Sequence, residues 1–373
     1  MATPSGEEPN APAPTRGESR SREPKPAAET RARFRRRLLI VVSLVVTVLA
    51  IAAAFELAFF GNKDHTPPWV DWATYSDALQ RLIHGSAVYD PRQLSGPYNL
   101  PDITTTGYVY PPASLILFAP FGNQPIGLAA WLGLNVGLLV TGVFAILRRE
   151  LGEDAPLYLG VAILPVVMWI GFLNGLTAGN VTIGLSGVLA WAWAIGRTRT
   201  PTVGIAVIAI AKIFPAVLVC WTTPSNLIRS VLKAALVGGA WILITLPLVG
   251  LGSWTDFFRA MGNAQPMCSW GPTVSCVLQP ALGVSLAKVA AFGLAGALGL
   301  GAVFVRSDLI AFTMIALAWI VPVTDLSNYS LMPLFVVWVV AFAIGVRRLR
   351  SVEVGPPAQA LGRLVARARG RAT

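Results

Sequence analysis

Two ionisable residues stand where chemistry could occur. Asp71 opens the stretch Asp71-Trp72-Ala73-Thr74-Tyr75-Ser76-Asp77, shortly after the first long apolar run. A carboxylate at a water–lipid boundary is partly desolvated, and desolvation raises its pKa toward the range useful for taking a proton from a hydroxyl. An Asp near a helix N-terminus is also an ordinary cap, and spacing alone leaves both roles open. Asp77 lies six residues on, faces elsewhere on a helix and reads as a solvated surface acid. Lys212 is the basic residue nearest the middle of an apolar run, whereas Lys233 and Lys288 fall close to the start of theirs. A charge at membrane depth is costly and marks a functional position, unless its long stem snorkels to the surface.

Such residues need elements to hold them, and the composition says of what kind. The chain has 373 residues, 54% hydrophobic and 13% charged, with a mean hydropathy of +0.63. Soluble domains carry about 25% charge, so an ordinary soluble enzyme and a disordered chain are both excluded. The net charge of +11 invites a nucleic-acid reading, but its distribution removes that reading. Residues 1–37 contribute +4 and residues 347–373 contribute +6, leaving +1 on the 309 residues between. Two basic tails around a neutral apolar body mark a membrane protein with both ends in the cytoplasm. The expected organisation is a disordered basic tail over 1–37, a transmembrane body over 38–346 and a second basic tail over 347–373, with no nucleic-acid partner.

Apolar runs at 38–60, 113–121, 125–147, 156–173, 181–195, 203–221, 231–251, 286–305, 309–323 and 329–346 predict an all-α polytopic membrane protein. A span needs about 20 residues, so roughly eight to ten of these elements would cross. Residues 113–121 are too short, and Lys212 with Pro215 interrupts 203–221. If both segments re-enter, Arg148, Arg149, Arg197, Arg199, Arg229 and Arg306 all fall in cytoplasmic loops. If both span, the first four fall outside. The positive-inside bias favours re-entry, provided the broken backbone is buried in protein or lines a cavity. The loop with Asp71 then lies outside the cytoplasm, as does the hairpin tip at Lys212. Within that loop, Val70 to Ile83 has apolar residues at helical spacing and predicts an external amphipathic helix, ended by His84-Gly85.

The three cysteines divide in the same way. Cys268 and Cys276 share an external loop, where an oxidising compartment would permit a disulfide. Cys220 sits in an apolar run and reads as packing. No Cys/His group has metal-ligand spacing, and no Walker loop or dinucleotide fingerprint is present.

The order Asp-aromatic-x-x-Tyr (Asp71, Trp72, Tyr75), then Gly85 and Tyr89, then Tyr108-Val109-Tyr110-Pro111-Pro112 resembles glycosyltransferase family 87. Later pieces follow in sequence. Gly179-Asn180 resembles the family's Gly-Gln-x-Asn stretch, Lys212-Ile213-Phe214-Pro215 its Lys-x-x-Pro element, and Asn263-Ala264-Gln265 its Asn-Gln-Ser loop. The likeness covers roughly residues 38–346. Asn180 stands where Gln is usual and Thr182 where Asn is usual. In Pro322-Val323-Thr324-Asp325-Leu326-Ser327-Asn328-Tyr329, Ser327 and Asn328 replace both histidines of an element found in the mannosyltransferase branch.

The resemblance implies a GT-C-like integral-membrane enzyme in the plasma membrane. It would move mannose, or arabinofuranose, from a polyprenyl-phosphate donor to an envelope glycolipid or polysaccharide. No cofactor beyond the lipid-linked sugar is implied, and metal dependence is left open. The departing lipid phosphate needs a cation, a role that suits Lys212. Asp71 would take the proton of the acceptor hydroxyl. Tyr75, Tyr110 and Asn180 would shape the sugar pocket, and Asp325 and Asn328 would bind acceptor hydroxyls. The ordinary alternatives are an interfacial belt for the tyrosines and loop or cap chemistry for Asn180, Asp325 and Asn328. A lipid or sugar transporter is the rival of another class, but the sequence shows no convincing internal repeat of the kind transporters often carry.

Overall fold

The computed structural model describes residues 26–61, 69–99, 107–122, 125–198, 211–266, 268, 273–323 and 328–353. The helices are α1 (Pro26–Glu56), α2 (Val70–Ile83), α3 (Pro91–Ser95), the short α4 (Pro112–Phe121, part 3-10), α5 (Pro125–Leu151), α6 (Ala155–Val167), α7 (Ile170–Ala178) and α8 (Thr182–Ile195). After them come α9 (Leu227–Asn263), α10 (Val274–Phe304), α11 (Asp308–Ile320) and α12 (Met332–Glu353). Among the described residues no strand forms, and one isolated bridge joins Tyr98 to Ala264. The protein is therefore an all-α polytopic membrane protein.

Five helical stretches are long and apolar enough to cross a membrane: Glu29–Phe60, Pro125–Val167, Pro224–Asn263, Val274–Phe304 and Tyr329–Ser351. The second contains the turn Gly152–Asp154 between α5 and α6. The apolar helices α4, α8 and α11 are shorter. The run 156–173 is broken where Trp169 turns extended, with ψ 138°, between α6 and α7. The first part of the expected hairpin 203–221 lies outside the described residues; the rest is Ala211, Lys212 and a 3-10 helix, Phe214–Cys220, with Pro215 in its first turn. Helix α1 begins at Pro26, inside the stretch read as a tail. Its first turns are rich in Ala and Arg, which are strong helix formers, and Glu29 pairs with Arg33 one turn on at 3.6 Å.

The centre is the pair α5–α8. Membrane helices gain nothing hydrophobic from leaving lipid, so they meet where small residues let backbones approach. A side chain at Gly142 would overlap the backbone of α8, one at Gly187 would overlap α5, and one at Gly184 would overlap Asn135. Asn135 exploits the approach: its Oδ1 accepts the Gly184 N–H at 3.0 Å while its Nδ2 donates to the Trp131 carbonyl at 2.8 Å. Helix α1 docks on α6 by the same logic. Ser43, Thr47, Ala50 and Ala54 are buried, while Val41, Val45, Val48 and Leu49 stay exposed. The Gly160 N–H donates to Ser43 Oγ at 2.9 Å.

Helices α9 and α10 carry bulky exposed side chains, among them Leu236, Leu243, Leu248, Leu286 and Val289, as a lipid-facing surface would. Each bends at a glycine three residues after a proline, Gly250 after Pro247 and Gly283 after Pro280, with φ 74° at both. That conformation is open to glycine without steric cost. Between the two bends lie Asn263 and the disulfide joining Cys268 to Cys276, whose Cα atoms are 5.4 Å apart.

Candidate active site at a helix break

The site is built where α7 stops and α8 starts. Gly179 takes φ +72°, and the N–H groups of Asn180 and Gly179 return to the carbonyls of Gly175 and Leu176 at 2.9 and 3.1 Å. This is a Schellman ending, which needs the left-handed residue that glycine supplies. Asn180 Oδ1 then accepts the Thr182 N–H at 2.7 Å, two residues on, and so turns the chain into α8. With Oδ1 committed to a donor, Nδ2 must point the other way. It donates to Asp71 Oδ2 at 2.6 Å.

Asp71 reaches that point because α2 is stitched to the break. The Trp69 N–H donates to the Thr177 carbonyl at 2.7 Å, and the Thr177 hydroxyl donates to the Ala58 carbonyl at 3.0 Å. Trp69 sits at φ +69°, unusual for a bulky residue, with its ring stacked on Phe59 at 4.5 Å. Trp72 is buried against Gly179, where a Cβ would lie 3.0 Å from the Trp72 Cβ. The Gly179 carbonyl accepts from Trp131 Nε1 at 2.8 Å. No side chain caps α2 at Trp69. Asp71 lies in the first turn of α2 and is oriented by Asn180.

One turn along α2, Tyr75 is buried with its ring stacked on Phe118 at 4.4 Å and edge-on to Tyr110 at 5.2 Å. Its hydroxyl donates to the Tyr110 hydroxyl at 3.0 Å. Burial pushes the Tyr75 phenol well above its ordinary pKa, with Tyr110 and Asp71 adding to the rise, so it remains a donor. Tyr110 is braced by the Tyr89 hydroxyl, which donates to its carbonyl at 2.7 Å, and Gln93 Nε2 donates to the Tyr108 carbonyl at 3.1 Å. Asn263 Nδ2 donates to the Gln93 carbonyl at 2.9 Å, so the Asn263-Ala264-Gln265 turn supports α3 from behind. Lys212, half-buried, donates from Nζ to Thr182 Oγ1 at 3.2 Å and stands 5.8 Å from the Tyr110 ring centre.

Asp71, Asn180, Lys212, Tyr110 and Tyr75 thus converge on one polar group around the α8 N-terminus. Asp325 lies outside the described residues. Asn328 opens the 3-10 helix Asn328–Leu331, and only its backbone is described. Three further partners were not singled out as site residues in the sequence. Thr182 was legible only as a departure from the family pattern. Trp131 comes from the second turn of α5. Tyr329 packs its Cβ 3.1 Å from where a Cβ on Gly175 would lie, and its phenol adds to the rise at Tyr75. Among the described residues no group of three His, Cys, Asp or Glu side chains could hold a metal ion.

An acid, a lysine and tyrosines gathered at a helix start in a polytopic helical bundle make a candidate site in a membrane protein. The profile of glycosyltransferase family 87 matches residues 108–350, and the chain belongs to that family. The match includes Tyr110, Asn180 and Lys212 and begins after Asp71 and Tyr75. No curated protein and no solved structure matches the chain.

Proposed function

We propose that this membrane glycosyltransferase transfers mannose from a polyprenyl-phosphate donor to a hydroxyl of an envelope glycolipid or polysaccharide, on the extracytoplasmic face of the plasma membrane. The observation that carries the reading is the link Asp71–Asn180–Thr182–Lys212, which holds an acid and a cation at one helix start. The acceptor oxygen attacks the anomeric carbon, and the bond from that carbon to the phosphate oxygen breaks. The polyprenyl phosphate departs with the bonding electrons, and the acceptor proton passes to Asp71. Lys212 and the positive end of α8 favour the phosphate as its charge grows. Tyr75, Tyr110 and Asn180 bound the sugar. Asp325 and Asn328 are assigned to acceptor hydroxyls on the strength of sequence alone.

Orientation follows from charge. Arg148, Arg149, Arg197, Arg306 and Arg347 lie at the helix ends away from Asp71, and the positive-inside bias puts them, with both termini, in the cytoplasm. A cysteine introduced as Arg148→Cys should be shielded from impermeant thiol reagents in intact cells. The function is tested with purified protein and radiolabelled polyprenyl-phosphate mannose and polyprenyl-phosphate arabinofuranose. Labelled product from the mannose donor is expected. Product from the arabinofuranose donor alone would reassign the sugar, and product from neither would overturn the donor class.

A further inference from the structure

At the other end of the bundle, Arg149, Arg197 and Arg306 line a cavity of about 590 Å³ together with Thr198, Phe304 and Asp308. Trp131, beside the helix break, and Arg149 are separated along α5 by about 27 Å at a rise of about 1.5 Å per residue. The cavity therefore lies at the opposite interface from Asp71 and is not part of the transfer site.

Its three arginines differ in what they already hold. Arg197 is 8% exposed and donates to the carbonyls of Thr222, Ala302, Val303 and Val305 at 2.7–3.2 Å. It closes the C-terminal turn of α10 and forms a fixed wall. Arg149 donates to the Trp193 carbonyl and lies 4.9 Å over the Trp193 ring. Arg306 is exposed, and no hydrogen bond or ion pair joins it to another described residue. The only acid on the cavity wall is Asp308, 3.5 Å from Arg197 and 3.8 Å from Arg149. Behind the wall Glu150 stands 3.6 Å from Arg149 and is itself paired with Arg347 at 2.6 Å, so four guanidinium groups face two carboxylates and the cavity stays cationic. Guanidinium donors match phosphate oxygens in geometry as well as charge.

The rim chooses the source of that phosphate. Phe304 is 70% exposed and Ile195 40% exposed beside the opening, so a ligand with a charged head and apolar chains is satisfied at both ends. Basic pockets between membrane helices take anionic lipid headgroups for this reason. We propose that this cavity seats the phosphate of an anionic phospholipid, whose acyl chains lie along Phe304 and Ile195.

The test uses the full-length protein in neutral detergent, with lipid binding followed by native mass spectrometry and by thermal unfolding. Phosphatidylglycerol should be retained and should raise the unfolding temperature, while phosphatidylcholine should do neither. Arg306→Gln should weaken phosphatidylglycerol binding about fivefold. Asp308→Asn, which removes the competing carboxylate, should tighten it. Arg37→Gln, on exposed α1, should leave it unchanged. Equal retention of the two lipids, or an Arg306→Gln variant that binds as the parent does, would overturn the proposal. Binding of glycerol 1-phosphate as tight as that of the lipid would overturn the lipid source in favour of a soluble phosphate ester.

Discussion

The two ends of the bundle use charge in opposite ways. Around Asp71 the acid and the lysine are positioned by neutral side chains: Asn180 donates to Asp71, and Thr182 accepts from Lys212. At the arginine end, charge is spent on structure. Arg197 is surrounded by four carbonyls. Glu150, buried, meets Arg347 at 2.6 Å and Trp193 Nε1 at 3.1 Å, and Asp154 ties Arg36 on α1 to Arg350 on α12. Charges caged by carbonyls and counter-ions fix helix ends. Asp71 and Lys212 instead stand at a helix start, where the side chains of Asn180 and Thr182 aim them at the site.

The largest expected effect tests the structural half of that contrast. Arg197→Leu strips the donor from four carbonyls, those of Thr222, Ala302 and Val303 on buried residues, and should destabilise the fold by about 3–5 kcal/mol, at about 1–3 kcal/mol for each buried acceptor left without a donor. Thermal unfolding in detergent reads it, and an unchanged midpoint would remove the distinction between the ends. Lys212→Ala should behave in the reverse way. Transfer should fall by about 10²–10³-fold, the scale of one lost transition-state contact, with little change in the unfolding midpoint. A stability loss as large as that of Arg197→Leu would make Lys212 a clamp as well.

Alkaline pH should separate the ends more gently. Burial raises the phenols of Tyr75, Tyr89, Tyr98 and Tyr108 above their ordinary value. In the unfolded chain they release protons near pH 10, while the folded chain retains them. Stability is thus full below about pH 10 and falls as pH rises beyond it. The arginines hold their charge throughout this range. Unfolding midpoints measured from pH 8 to 11 should be flat and then decline. Tyrosine ionisation followed by ultraviolet absorbance should lag in the folded protein. Ionisation of all seven tyrosines near pH 10 without unfolding would contradict the packing around Tyr75.

The fold class was legible because apolar runs and arginine placement answer directly to the bilayer. Asp71, Tyr75, Tyr110, Asn180 and Lys212 were also singled out from the order of the motifs, and the structure brings those five together. What spacing could not show was how they are joined. Trp131 is 48 positions from Gly179, and the contact exists only because glycines at 142, 184 and 187 let α5 and α8 close on each other. The lengths of α9 and α10 were hidden for another reason. Their helices continue past the apolar windows, to Asn263 and back to Val274, with bends at Gly250 and Gly283. The Pro247–Gly250 and Pro280–Gly283 pairs were visible signals of a break, but hydropathy alone reads them as run boundaries. Likewise α1 extends into polar sequence because Ala, Glu and Arg favour helix irrespective of hydropathy.

The central claim rests on Asp71 as the group that takes the acceptor proton. The direct measurement is single-turnover transfer by purified Asp71→Asn protein from a polyprenyl-phosphate sugar, beside the parent protein and with matched unfolding midpoints. Asn keeps the shape of the side chain but cannot accept a proton. Transfer should drop by about 10²–10⁴-fold, the usual contribution of a positioned general base, while the fold is retained. Transfer at the parent rate by a folded Asp71→Asn protein would contradict the account.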